Sequence, residues 1–141
     1  ATYVQSAGKG WRLPASVLRR AMKESETLRL TLLRYGHAFV IQAAQTALAN
    51  GRSKVEERLA RWLLMAHDRT DGDVLTLTHE FLSIMLGVRR AGVTVALDLL
   101  EKKALVRTGR RAITILDRGG LKKITNGAYG VPESEFQRLF G

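Results

Sequence analysis

Cysteine is absent from all 141 residues, which removes disulfide staples, zinc–thiolate sites and iron–sulfur clusters from this stretch of chain. A membrane-spanning run is missing as well. The nearest approach, Tyr35–Gly51, is uncharged but interrupted by Gln42, Gln45 and Asn50, and its strongly apolar part falls short of the roughly 20 residues that a transmembrane helix needs. No signal peptide is visible, because Lys9, Arg12, Arg19 and Arg20 leave no continuous apolar stretch among them. These absences fit a cytoplasmic protein. Acidic charge is scarce: 13 Asp and Glu against 23 Lys and Arg give a net charge of +10 and a pI near 10.7. That balance suits a polyanionic partner. The excess is spread along the chain, with 7 basic and 2 acidic side chains in residues 1–51 and 13 and 9 in residues 52–120.

Catalytic patterns are lacking too. His37, His67 and His79 fall on separate predicted elements, and no HxxxH, GxSxG or GxxxxGKS string occurs. Asp68, Asp71 and Asp73 lack a calcium loop's pattern of glycine and distal glutamate and read as a solvated turn. No enzyme, catalytic residue, metal or cofactor is expected. What is present is ample apolar content, 45%, enough for a core.

Residues 1–14 read as short extended pieces closed by Pro14, ahead of a helical pattern over Ala15–Lys23. The chain opens on Ala1 rather than Met and is expected to be part of something longer. A long helix is predicted from Glu24 to Ala49. Leu28, Leu32, Tyr35, Phe39, Gln42 and Thr46 form one stripe, and Leu33, Val40, Ala44 and Ala47 a second. A helix apolar on two sides is buried on both: one side against its own chain and the other against a partner helix, or both inside a monomer. Asn50-Gly51 is the expected stop. Ser53 with Glu56 is the expected capping box of the next helix, buried through Val55, Leu59, Trp62, Leu63 and Ala66. A short strand is expected at Val74–Thr76.

The informative segment is Thr78–Leu100, THEFLSIMLGVRRAGVTVALDLL. Thr78 is the expected N-cap, with Leu77 stapled onto Leu82. A helix over His79–Leu86 breaks at Gly87, and a second runs from about Arg90 to Lys103. Two short helices about a glycine turn make a helix-turn-helix when the facing residues are small or apolar, as Leu82, Ser83, Leu86, Val88, Val93 and Ala96 are. A plain αα-hairpin is the alternative. Leu105–Arg107 and Ala112–Leu116 are strand-like, with Thr108–Arg111 as the turn. Helix, turn, helix and a hairpin with a basic tip is the winged arrangement. Arg110 and Arg111 would meet phosphates there, unless they only solvate a loop. Arg89 and Arg90 open the second helix, with no acidic residue between Leu86 and Leu97. An arginine at a recognition helix's N-terminal end can read guanine. Thr94, one turn on, could touch a thymine methyl or a phosphate. Gly92, inside a helix, costs about 1 kcal/mol against Ala, which hints at a steric reason.

VEERLARWLLMAHDR (55–69), LTHEFLSIMLGVRRAGVTVALDLLEKKALV (77–106) and RAITILDRGGLKKI (111–124) together resemble the Crp/Fnr family of bacterial regulators. The resemblance implies a mainly α fold with a small β wing. Residues 1–23 would be a remnant of the effector-sensing β-roll and its exit helix, most of that roll being absent. Residues 24–51 would be the dimerisation helix and hinge, 52–125 the winged helix-turn-helix domain, and 126–141 a C-terminal tail with a short helix. It implies DNA contacts from Thr78, His79, Arg89, Arg90, Thr94, Arg110 and Arg111, with Arg90 matching the family's guanine-reading arginine. Ala91 and Val95 depart from the usual acidic and basic contact residues, which puts the family's common half-site in doubt. A homodimer seam through Leu28, Leu32, Tyr35, Phe39 and Ala43 is implied. Double-stranded DNA is the implied partner, with RNA polymerase a further candidate. Counting back from the R-L-A-R motif reaches Ala43 and Ala44, neither able to hydrogen-bond, which disfavours cyclic AMP as effector. A non-specific architectural binder and a dimerisation module without DNA affinity are the competing readings.

Overall fold

The structure, a computed structural model, describes residues 9–141. The extended pieces expected over residues 1–8 lie outside the described residues, and residues 9–14 carry no regular structure. Helix α1, Ala15–Glu24, starts directly after Pro14, whose fixed φ and missing N–H suit a helix entrance. Ser25 then ends α1 and caps α2, its side chain accepting from the Leu28 N–H at 3.2 Å.

Helix α2, Glu26–Arg52, has 27 residues, about 40 Å at 1.5 Å each. It passes straight through the stop expected at Asn50-Gly51. Gly51 does not take the left-handed conformation. The helix ends instead at Ser53, whose extended backbone (φ −93°, ψ 147°) breaks the pattern while its N–H still reaches the Ala49 carbonyl. Ser53 is thereby occupied as a C-cap, so the expected Ser53–Glu56 box shifts by one residue. Lys54 is the N-cap of α3, Val55–His67, and its N–H donates to Glu57 Oε2 at 2.9 Å.

Strand β1, Val74–Leu75, leads to α4, His79–Leu86, and α5, Arg90–Lys102; β2, Val106–Gly109, and β3, Ala112–Ile115, follow. The three strands form one antiparallel sheet in the order β1-β3-β2, with Val106 opposite Ile115 and Gly109 opposite Ala112. The ladder therefore runs further than expected, and the turn shrinks from Thr108–Arg111 to Arg110 and Arg111 alone. Chain reversal in two residues demands unusual backbone, and Arg111 supplies it at φ 57°. Helices α6, Arg118–Ile124, and α7, Val131–Phe140, complete the chain.

The core lies among α3, α4, α5, α6 and the sheet. Leu59, Leu63, Leu64, Leu82, Val93 and Leu121 are wholly buried there, joined by Leu77, Ile113 and Val106. Trp62 and Phe81 meet edge to face at 5.7 Å between centroids on its margin. Helix α2 stands apart from this core and packs on α1 and α7; Ala38 and Ala49 are its only buried residues. Among the described residues no helix is long and apolar enough to cross a membrane.

The aspartates expected in a solvated turn are partly engaged. Asp68 accepts from Arg118 Nη2 at 2.6 Å and from the Tyr129 hydroxyl at 2.8 Å, and Asp73 pairs with His67 Nε2 at 3.0 Å. Arg118 also donates to His67 Nδ1 at 2.9 Å, so the loop is anchored to α6. Burial first, then the bond to Asp68, pushes the Tyr129 phenol up to about 12, which keeps it a donor.

Candidate nucleic-acid interface

The two helices that carry the candidate site are set by local chemistry. Thr78 has extended backbone (φ −115°, ψ 152°), and its hydroxyl accepts from the Phe81 N–H at 3.1 Å. At the other end of α4, Gly87 sits in the left-handed region at φ 62°, ψ 38°, which side chains other than Gly rarely adopt. The N–H of Val88 closes the turn on the Ser83 carbonyl at 3.0 Å. Ser83 and Val93 are both buried, and small Ser83 permits α4 and α5 to cross closely. Arg89, extended at φ −69°, ψ 148°, is the N-cap of α5 and Arg90 its first residue.

Both arginines are exposed, and neither side chain has a hydrogen bond or ion pair among the described residues. Arg110 and Arg111 at the hairpin tip are likewise exposed and unpaired. Arg89 and Arg90 stand at the positive end of the α5 dipole, with no acidic residue in its first turn. Gly92 has open space where a Cβ would project. Nothing among the described residues therefore accounts for a glycine in the first turn of α5.

The hairpin is tied to both helices. The Leu77 N–H donates to the Arg111 carbonyl at 3.1 Å, linking the tip to the residue before the α4 cap. Two residues before the tip, Thr108 of β2 bonds to Glu101 of α5, whose carboxylate accepts from the Thr108 N–H at 2.8 Å and the Thr108 hydroxyl at 2.9 Å. Those bonds, the backbone one foremost, hold the Glu101 carboxyl below its ordinary value, with Arg107 adding to the effect.

Residues 57–124 match the model of the Crp-like helix-turn-helix domain. These residues are a Crp-like helix-turn-helix domain. Comparison with the curated proteins gave no match. Among solved structures the fold is similar to FixK2 from Bradyrhizobium japonicum, at 23% identity and TM-score 0.70 over 77% of this chain and 57% of that one. Two regulators from Thermus thermophilus are also similar. The CRP/FNR-family regulator TTHA1359 has 25% identity and TM-score 0.58 over 63% of this chain and 49% of its own. The CRP-family regulator TTHB099 has 22% and 0.58 over 64% and 50%. The chain thus spans about half the length of these relatives.

Within the Crp-like domain the structure adds partnerships that local pattern does not reveal. Thr94 is not free: its hydroxyl lies 3.1 Å from His79 Nδ1 and 3.3 Å from the Arg90 carbonyl. With the hydroxyl donating to Arg90, His79 Nδ1–H donates to Thr94, and the start of α4 is pinned to the first turn of α5. Arg58, the first arginine of R-L-A-R, donates to the Leu86 carbonyl beside Gly87 and so braces the turn. Val95 on α5 is 60% exposed.

The expected dimer seam is divided. Leu28 and Leu32 are half-buried, while Tyr35, Phe39 and Ala43 are exposed. Tyr35 and Phe39 line one side of an open groove of about 530 Å³, with Phe136 of α7 and Tyr129 on the other. The second stripe, Leu33, Val40, Ala44 and Ala47, is exposed along its whole length, and Gly36 lies among it with open space beyond.

Proposed function

We propose that this chain is the dimerising and DNA-reading part of a transcription regulator: a homodimer that places two α5 helices in successive major grooves of a pseudo-palindromic site. Residues 24–51 are its dimer element and 52–125 its reading domain. The observation that carries the reading is the pair of exposed arginines at the N-terminal end of α5, unpaired among the described residues, next to a glycine that no described neighbour requires. A helix end presenting cations and little bulk suits base edges in a groove about 12 Å wide. Arg90 reads a guanine through its fork of donors, and Arg89 takes a second base or a phosphate. Val95, apolar and outward, suits a thymine methyl. Thr78 and His79 sit where the first helix of such a motif crosses the backbone, and Arg110 and Arg111 add sequence-independent attraction to phosphates. Thr94 has its hydroxyl committed to His79 and Arg90, so its methyl is left for contact.

Selection of bound duplexes from a random pool tests this. The expected result is a two-fold symmetric site with half-site centres about one helical turn apart. Arg90→Ala should weaken that site by about 1–3 kcal/mol and relax preference at one base pair per half-site. Equal loss on all sequences would make Arg90 a phosphate contact. Enrichment of no site at all would favour the architectural binder, and negligible affinity even at low salt the bare dimerisation module.

A further inference from the structure

Helix α3 carries two arginines, one turn apart, that reach in opposite directions. Arg58 donates to the Leu86 carbonyl at the helix-turn-helix turn. Arg61 reaches the other way: its Nε donates to the Ala128 carbonyl at 2.8 Å and its Nη1 to the Thr46 hydroxyl of α2 at 3.1 Å. Thr46 in turn donates to the Gln42 carbonyl at 2.8 Å. One guanidinium therefore holds α2, α3 and the loop between α6 and α7 together.

As a stabilising device it is poor. Arg61 is only 4% exposed, and its Nη2 is buried without a hydrogen-bond partner among the described residues. Burial pulls the guanidinium below its ordinary value, and nearby Glu133 offsets only part of that. An apolar residue of similar volume in such a place often does as well or better. What the arginine offers instead is direction, because its planar fork fixes the angles between the groups it joins. Direction matters at this position. Helix α3 has 13 residues, about 20 Å, and lies between the α2 junction and the reading helix. Arg61 stands mid-helix, six residues and so about 9 Å from either end of α3, and a swing of about 20° there would carry the helix end through about 3 Å, close to one base-pair step along the duplex.

We propose that Arg61, held by Thr46 and Ala128, is a positioning residue that fixes the angle between α2 and the winged unit and thereby the half-site spacing the dimer accepts. The inference rests on the proposed DNA-reading function and goes beyond it in naming what sets the spacing.

The test uses the whole chain on duplexes carrying two selected half-sites whose spacer is varied one base pair at a time. Three variants are compared with the wild type. Arg61→Met keeps volume but loses the fork, Arg61→Lys keeps charge without the fork, and Thr46→Val removes one acceptor with little change of shape. Binding to a duplex with a single half-site and the thermal midpoint are measured alongside. The wild type should lose about tenfold or more on a one-base-pair change, comparable to a mismatched base pair. Arg61→Met and Arg61→Lys should flatten that profile to within about threefold, and Thr46→Val should flatten it partly, all with single half-site affinity unchanged. A purely structural Arg61 would shift the melt and leave the spacer profile intact, which overturns the inference. If Arg61→Met does not fold, an unaltered profile in Thr46→Val overturns it equally. A wild type indifferent to spacing overturns the inference and the DNA-reading function together, whereas a selective wild type with equally selective variants overturns the inference alone.

Discussion

In the winged half of the chain, Leu59, Leu63, Leu82 and Leu121 are 0% exposed, whereas on α2 Leu33, Phe39 and Val40 remain 59%, 60% and 64% exposed. The two regions are similarly apolar in sequence, but only one closes on itself. Helices α3 to α6 and the sheet each offer one apolar face, and five such faces meet in a single core. Helix α2 offers apolar residues around most of its girth, and only Ala38, beside α7, and Ala49, beside the Asn126–Ala128 loop, are buried on it. Exposed apolar residues grouped in this way suit an interaction surface, which supports the proposed dimer element. The winged half thus buries its apolar faces within itself, and the second stripe of α2 is left exposed.

Breaking each side of that contrast should give different losses. In the winged core, Leu63→Ala should cost about 2–5 kcal/mol of unfolding free energy, read by chemical denaturation, with the dimer constant little changed. On α2, Val40→Glu should do the reverse. It places one carboxylate per subunit in the exposed second stripe, proposed here as the two-fold seam, where an unpaired buried charge costs about 3–5 kcal/mol. Sedimentation equilibrium should then show monomers whose winged half keeps its near-ultraviolet dichroism; an intact dimer would remove this face from the interface.

A smaller pair of opposed effects separates fold from reading. Gly92→Ala should stabilise the free chain by about 0.5–1 kcal/mol, since Ala is the better helix former and its Cβ meets open space. The same methyl should weaken binding to the selected duplex. A gain in both stability and affinity would show that the glycine makes no room for DNA.

The least effect should come from pH, where β2 is tied to α5. The Glu101 carboxyl is held below its ordinary value by Thr108, so its contribution is fully present above the unfolded carboxyl's pKa. It is lost as pH falls through the lower, folded value. Exchange protection of the Thr108 amide should therefore fall in acid while that of the α3 core amides persists.

Much of this contrast was legible in the sequence. Thr78 and Gly87 are local signals, a cap hydroxyl and a left-handed turn, and they bound α4 as expected at His79 and Leu86. The end of α2 was not legible. Gly51 permits a left-handed stop without imposing one, and the break came two residues later through extended backbone at Ser53. The hairpin turn was overestimated because Arg111 adopts a positive φ that propensity assigns to Gly or Asn. Arg58 and Arg61 were visible only as a motif, since their acceptors lie 28, 15 and 67 residues away. The same distance hid the bond from Asp68 to Tyr129, 61 residues apart.

The arginine-bearing end of α5 is proposed to enter a major groove. Methylation protection at guanine N7, an atom exposed only in that groove, addresses it directly on the selected duplex. Two patches of N7 protection about one helical turn apart are expected, each losing one protected guanine in Arg90→Ala. Full binding with every guanine N7 still reactive would contradict entry into the groove.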